Sequence, residues 1–129
     1  MIGKVLDSSA VAAIAGGSIA ATSWLTVALD FASVLYVPDL ALTEVRALRP
    51  DLAAALDDLA LHPSVVTRAL TDPDEPVAAA VEELLERTET YDPLAGHVVH
   101  IAARRGWPAM TSDPGRLRRL DPDVELTLL

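Results

Sequence analysis

A short apolar run, IGKVL, stops at a lone carboxylate, Asp7, and gives way to two hydroxyl residues and a stretch of Ala, Val and Ile. Ile2, Val5 and Leu6 are too few for a helix and rich in β-branched side chains, so the run predicts a buried strand, with Ser8 or Ser9 capping the helix that follows. Residues 9–15 read as that helix, ended by Gly16 and Gly17, and Ser18 as the cap of a second one reaching about Phe31, with Ile19, Trp24, Leu25 and Leu29 inward. Val34, Leu35, Tyr36 and Val37 form a second short apolar run. Pro38 closes it and suits the first turn of a helix over residues 38–48, packed through Ala41, Leu42, Val45 and Leu48. Pro50 stops that helix, and Leu52, Leu56 and Leu59 then recur at helical spacing.

Residues 64–70 predict a third strand, interrupted by Arg68. After the turn TDPDEP, the stripe Val77, Val81, Leu84 and Leu85 marks another helix, and Asp92 with Pro93 opens the next, with Leu94, Val98, Ile101 and Ala102 inward and Gly106 at its end. Residues 107–111 predict a fourth strand, residues 114–120 a short basic helix or turn, and residues 124–128 a fifth strand. Strands alternating with helices imply crossovers and a parallel sheet, so the fold class is α/β. No internal repeat, linker or low-complexity segment interrupts the pattern, and 129 residues suit one domain.

Hydrophobic residues make up 51% of the chain and aromatic ones only 4%, so the core is built from Ala, Val and Leu. The absence of Cys removes disulfides and thiolate zinc sites and suits a reducing cytoplasm. Residues 10–29 carry no charge and have the length of a bilayer span. Their Ala, Gly, Ser and Thr content, the central Gly16, Gly17 and Ser18, and the Asp just upstream instead predict two helices broken at the glycines, with no membrane span. A net charge of -9 excludes nucleic-acid binding by basicity alone, so contact with RNA would need a cation from elsewhere. Arg104, Arg105, Arg116, Arg118 and Arg119 cluster late in the chain, either as a guide for RNA phosphates or as a patch facing solvent or a partner.

The carboxylates acquire meaning on this scheme. Asp7 ends the first strand, Asp113 follows the fourth, and Asp92 begins the helix that leads into the fourth, so all lie at the carboxyl edge of the sheet. Glu44 lies about 9 Å along its helix at 1.5 Å per residue, and its side chain leans back toward the same edge. Unit charges about 4 Å apart repel by roughly 4 kcal/mol at an effective dielectric near 20, so such a group wants a cation. Oxygen donors suit Mg²⁺ or Mn²⁺, and the chemistry implied is metal-assisted hydrolysis of a phosphodiester. His97 and His100 have the spacing of a zinc pair but lack a third ligand, and read as a partly exposed helix face. Trp24 and Trp107 read as core or interface residues.

The segment KVLDSSAV, the Glu of VPDLALTEV, the Asp of YDPLAGHVVHIAARRG and the Asp of PAMTSDPGRL, in this order and spacing, resemble the acidic quartet of PIN-domain ribonucleases, especially VapC-type toxins. The resemblance covers essentially the whole chain. It implies a five-stranded sheet of order 3-2-1-4-5, Mg²⁺- or Mn²⁺-dependent cleavage of single-stranded RNA, a homodimer, and a cognate antitoxin that blocks the site. Asp7, Glu44, Asp92 and Asp113 then correspond to the metal-site acids, and Ser9 to a hydroxyl two residues after the first. Thr111 and Ser112 match hydroxyls that would orient a ligand carboxylate or a bound water, and Arg116 joins Ser9, Thr111 and Ser112 as a contact to the substrate or behind the metal-site acids. Pro93, after Asp92, departs from the small residue more usual there. Two other readings start from the same residues: a haloacid-dehalogenase-type phosphatase, which needs an Asp where Ser9 stands, and a noncatalytic binding module in which the acids are remnants.

Overall fold

The computed structural model describes residues 2–129. Five strands, β1 (Gly3–Leu6), β2 (Val34–Pro38), β3 (Val65–Arg68), β4 (Ala109–Thr111) and β5 (Leu126–Leu128), form one sheet of order β3-β2-β1-β4-β5. Every pairing is parallel, with Val5 opposite both Tyr36 and Ala109. Parallel neighbours need crossovers, and helices supply them: α1 (Ser8–Ala15) and α2 (Ile19–Asp30) between β1 and β2, then α3 (Asp39–Leu48) and α4 (Ala53–Ala60) before β3. On the other side come α5 (Ala78–Thr88) and α6 (Pro93–Arg105) before β4, and α7 (Pro114–Arg118) before β5. The sheet order and fold class agree with the expectation from the sequence.

The central strands are buried on both faces, Val5, Leu6, Tyr36, Val37, Ala109 and Met110 all being without exposed surface. This is why they read as continuous apolar runs rather than alternating ones. Helix α6 lies among β1, β2 and β4 and is buried along most of its length, from Leu94 to Val99 and again at Ile101 and Ala102. Gly96 lets α5 approach it: a Cβ there would stand 2.8 Å from Cγ1 of Val81. Gly106 ends the helix in the left-handed region at φ 67°, where a side chain is disfavoured.

Three expectations need correction. Ile19, at 87% exposed, and Leu29 are not inward: α2 packs on α1 and sets Trp24 beside Lys4 of β1, and the residues it buries are Ala21 and Ala28. Leu48 stands 73% exposed in the last turn of α3, past the reach of the core. His97 is wholly buried, not on a partly exposed face, and its Nε2 lies 2.9 Å from the hydroxyl of Tyr36 on β2. Helices α1 and α2 meet at 95° across the glycine pair, and no single helix among the described residues is long and apolar enough to cross a membrane.

Candidate active site

The strand order reverses between β1 and β4, the place where open parallel sheets hold ligands beyond their carboxyl ends. Asp7 follows β1 there, is 2% exposed, and caps α1 in place of the expected Ser8 or Ser9, because the helix already begins at Ser8. Its Oδ1 accepts from the Ser9 hydroxyl at 2.6 Å and the Ala10 N–H at 3.0 Å, and its Oδ2 from the Thr111 hydroxyl at 2.5 Å. A buried carboxylate is costly without such donors, and the start of α1 adds favourable dipoles. The hydroxyls also organise the loop beyond β4, because Ser9 Oγ accepts the Ser112 N–H at 2.9 Å and Thr111 Oγ1 accepts the Asp113 N–H at 2.8 Å.

Glu44 comes from α3, and Asp92 caps α6, with its Oδ1 accepting the Ala95 N–H at 3.1 Å. Arg116 of α7 joins the two. Nε and Nη2 donate to Asp92 at 2.7 and 3.0 Å, and Nη1 and Nη2 donate to Glu44 at 2.8 and 3.1 Å. Nη1 also donates to the Ser8 hydroxyl at 3.1 Å, so every N–H of the guanidinium is used. Arg116, Glu44 and Asp92 side chains are 22%, 31% and 28% exposed, so solvent screens these pairs only in part. The Arg116 hydrogen bond holds the Glu44 carboxyl below its ordinary range. For Asp92 burial acts most strongly and upward, but the bonds from Arg116 and Ala95, with the charges of Arg116 and Arg119, outweigh it and the net shift is downward. The two carboxylates reciprocate by raising the Arg116 pKa further above its ordinary value.

Asp113 begins α7 with an exposed side chain that makes no capping bond. The structure therefore gathers Glu44, Asp92 and Ser8 around Arg116, sets Asp7 with Ser9 and Thr111 at the adjoining strand tips, and leaves Asp113 at the margin. Among the described residues, no three Asp, Glu or His side chains approach closely enough to hold a metal ion as they stand. The donor set nevertheless fits a hard cation, being carboxylate oxygens with hydroxyls around them, and the guanidinium drawn between Glu44 and Asp92 shows that the position demands positive charge.

The cleft beside Arg116, of about 230 Å³, is floored by Leu40 and Leu94. A larger opening of about 830 Å³ lies against α5 and the loop after it, but Glu82, Glu86 and Glu89 line it without a basic partner, so it offers a substrate phosphate only repulsion. The late arginines have separated roles. Arg105 pairs with Glu75 and lies over the rings of Tyr36 and Trp107 at 5.3 and 4.8 Å, while Arg104, Arg118 and Arg119 are exposed. Arg116, read from the sequence as a contact to the substrate or behind the acids, is brought onto Glu44 and Asp92, whereas the part of Ser8 in holding it was not foreseen. The available signal was Leu117 and Leu120, whose burial fixes α7 with Arg116 on the flank that faces the rim. Neither a family model nor a curated protein sequence matches the chain.

Proposed function

We propose that the chain is a Mg²⁺- or Mn²⁺-dependent endoribonuclease of the PIN type, acting on phosphodiester bonds of single-stranded RNA. The observation that carries this reading is the convergence of Glu44 and Asp92 on one cation, which also donates to Ser8, the residue beside Asp7, where the strand order reverses. Asp7, Glu44, Asp92 and Asp113 would hold the metal. Bound there, it supplies an activated water and offsets the charge that develops on phosphorus. The chain's own residues orient: Ser9 and Thr111 fix the Asp7 carboxylate, and the Ser112 and Asp113 amides tie the β4–α7 loop to those same hydroxyls. Arg118 and Arg119, exposed beside the rim, offer contacts to phosphates on either side of the cut.

The wider role we propose is the toxin of a type II toxin–antitoxin pair, acting in the cytoplasm as a homodimer, with the antitoxin covering the rim. Exposed Ile19, Leu29 and Phe31 provide apolar surface of the kind that such partners bury.

Incubation with single-stranded RNA, with Mn²⁺ or with chelator, tests the reading. Cleavage that needs Mn²⁺ and disappears in Asp7→Asn is expected. Asparagine remains a good helix cap, so the variant should stay folded by circular dichroism. Absence of both cleavage and Mn²⁺ binding in the wild type would leave the noncatalytic module, a reading favoured by the completeness of the Arg116 pairing without any metal.

A further inference from the structure

We infer that Arg116 is a built-in competitor for the divalent ion, a positioning residue that holds Glu44 and Asp92 together while no metal is bound and swings away when one enters. The inference rests on the proposed reading of these acids as a metal site.

Both oxygens of Glu44 and both oxygens of Asp92 accept from the guanidinium, so neither carboxylate keeps an oxygen that Arg116 does not contact. A dication ligated by the two residues would face that guanidinium across the same oxygens, and like charges at such range repel. Occupation by one therefore excludes the other. Departure of Arg116 does not require α7 to move. Leu117 and Leu120 are buried and pin the helix, whereas Gly115 is exposed with open space around it, and the long Arg side chain can rotate about its own bonds toward solvent.

The apparent metal affinity is then the intrinsic affinity reduced by the fraction of molecules in which Arg116 has swung out. Exchange of this kind raises the metal concentration at which the site half-fills, and it keeps the acids neutralised when metal is scarce. Arg116 thus tunes the site through Glu44 and Asp92 rather than through contact with the reacting atoms.

Calorimetric titration of Mn²⁺ into the full chain tests this, comparing wild type with Arg116→Ala and with Arg116→Gln, which keeps bulk and polarity but not charge. Both variants should bind Mn²⁺ about tenfold more tightly than wild type, the factor expected if Arg116 is swung out in roughly one molecule in ten. Without metal both should melt below wild type, because Glu44 and Asp92 then face each other unpaired, and Mn²⁺ should raise their melting temperatures by more than it raises the wild-type value. Arg116→Lys should lie between wild type and the neutral variants. Equal Mn²⁺ affinity in wild type and both neutral variants overturns the exchange while leaving the metal site intact. Weaker binding in the neutral variants also overturns it, because Arg116 would then assist the ion. No binding in any of the proteins overturns the metal-site reading itself, and the exchange with it.

Discussion

The hydroxyl of Thr111 donates to Oδ2 of Asp7 at 2.5 Å, joining the tips of β4 and β1 across 104 positions of sequence. Each hydroxyl has one proton to give. Thr111 and Ser9 both give theirs to Asp7, so the 3.2 Å contact between the two hydroxyls is a consequence of their shared acceptor. Oδ2 of Asp7 depends on the Thr111 proton, and the Asp113 amide depends on Oγ1 of Thr111 as its acceptor.

Thr111→Val keeps the shape of this wholly buried side chain but removes both services. The Asp7 oxygen and the Asp113 N–H lose their partner together, and a loss of about 1–3 kcal/mol in urea denaturation is expected. Mn²⁺-dependent RNA cleavage should fall too, because the Asp7 carboxylate is free to turn. A variant as stable as wild type would show that neither bond matters in solution.

Gly96→Ala tests the α5–α6 contact. In an open helix this exchange stabilises by up to about 1 kcal/mol. Here the new methyl would stand 2.8 Å from Cγ1 of Val81 and 3.2 Å from Cδ2 of Leu85, and Val81 is β-branched and cannot easily rotate away. Overpacking should win, with a net loss of about 1–3 kcal/mol by denaturant titration. A gain in stability would mean that α5 yields freely.

The pH dependence of stability should have two separate windows. Burial, reinforced by the charge of His100 and opposed by Glu75, pushes the His97 pKa down to about 4. An unfolded histidine titrates near about 6.5, so between these values the unfolded chain takes up a proton that the folded chain refuses. The contribution is complete above the unfolded value and is lost as pH falls from about 6.5 toward 4, by up to about 3 kcal/mol. Glu44 and Asp92, whose pKa values are lowered, give stability that is present above the ordinary carboxylate range and lost below it. Thermal melts at steps from pH 7.5 to 4.5 should show the first loss in wild type and a flatter profile in His97→Gln. Parallel profiles would assign the loss to other groups. The Tyr36 hydroxyl, pushed up to about 12 chiefly by burial, takes no part in either window.

The strands were legible because the short apolar runs stop at residues that local geometry singles out, Asp7 after β1 and Pro38 at the end of β2, while their order was implied only by the family resemblance. Asp7, Asp92 and Asp113 each stand at a helix start, which is why their common edge could be foreseen. Pro108 shortened β4, since the strand begins only after a residue without an N–H, and Trp107 packs beside Gly3 before it. Exposed Ile19 was not legible, because periodicity reports that a helix has an apolar face and not which neighbour covers it. His97 escaped for the opposite reason: α6 is enclosed almost all round, and a polar residue there needs a partner such as Tyr36 that lies 61 positions away. Arg116 was legible as a contact at the site, but not that its guanidinium would take up both Glu44 and Asp92, since that depends on how α3, α6 and α7 meet.

The central position of β1 sets an order of events during synthesis. As the chain leaves the ribosome, Asp7, Glu44 and Asp92 all emerge before β4 and α7 exist to draw them together. The segment that completes the pocket through Thr111 also delivers Arg116, so the tie to Asp7 and the counter-charge of Glu44 and Asp92 lie close together in the chain. The side chain that neutralises Glu44 and Asp92 is therefore the last of the group to be made.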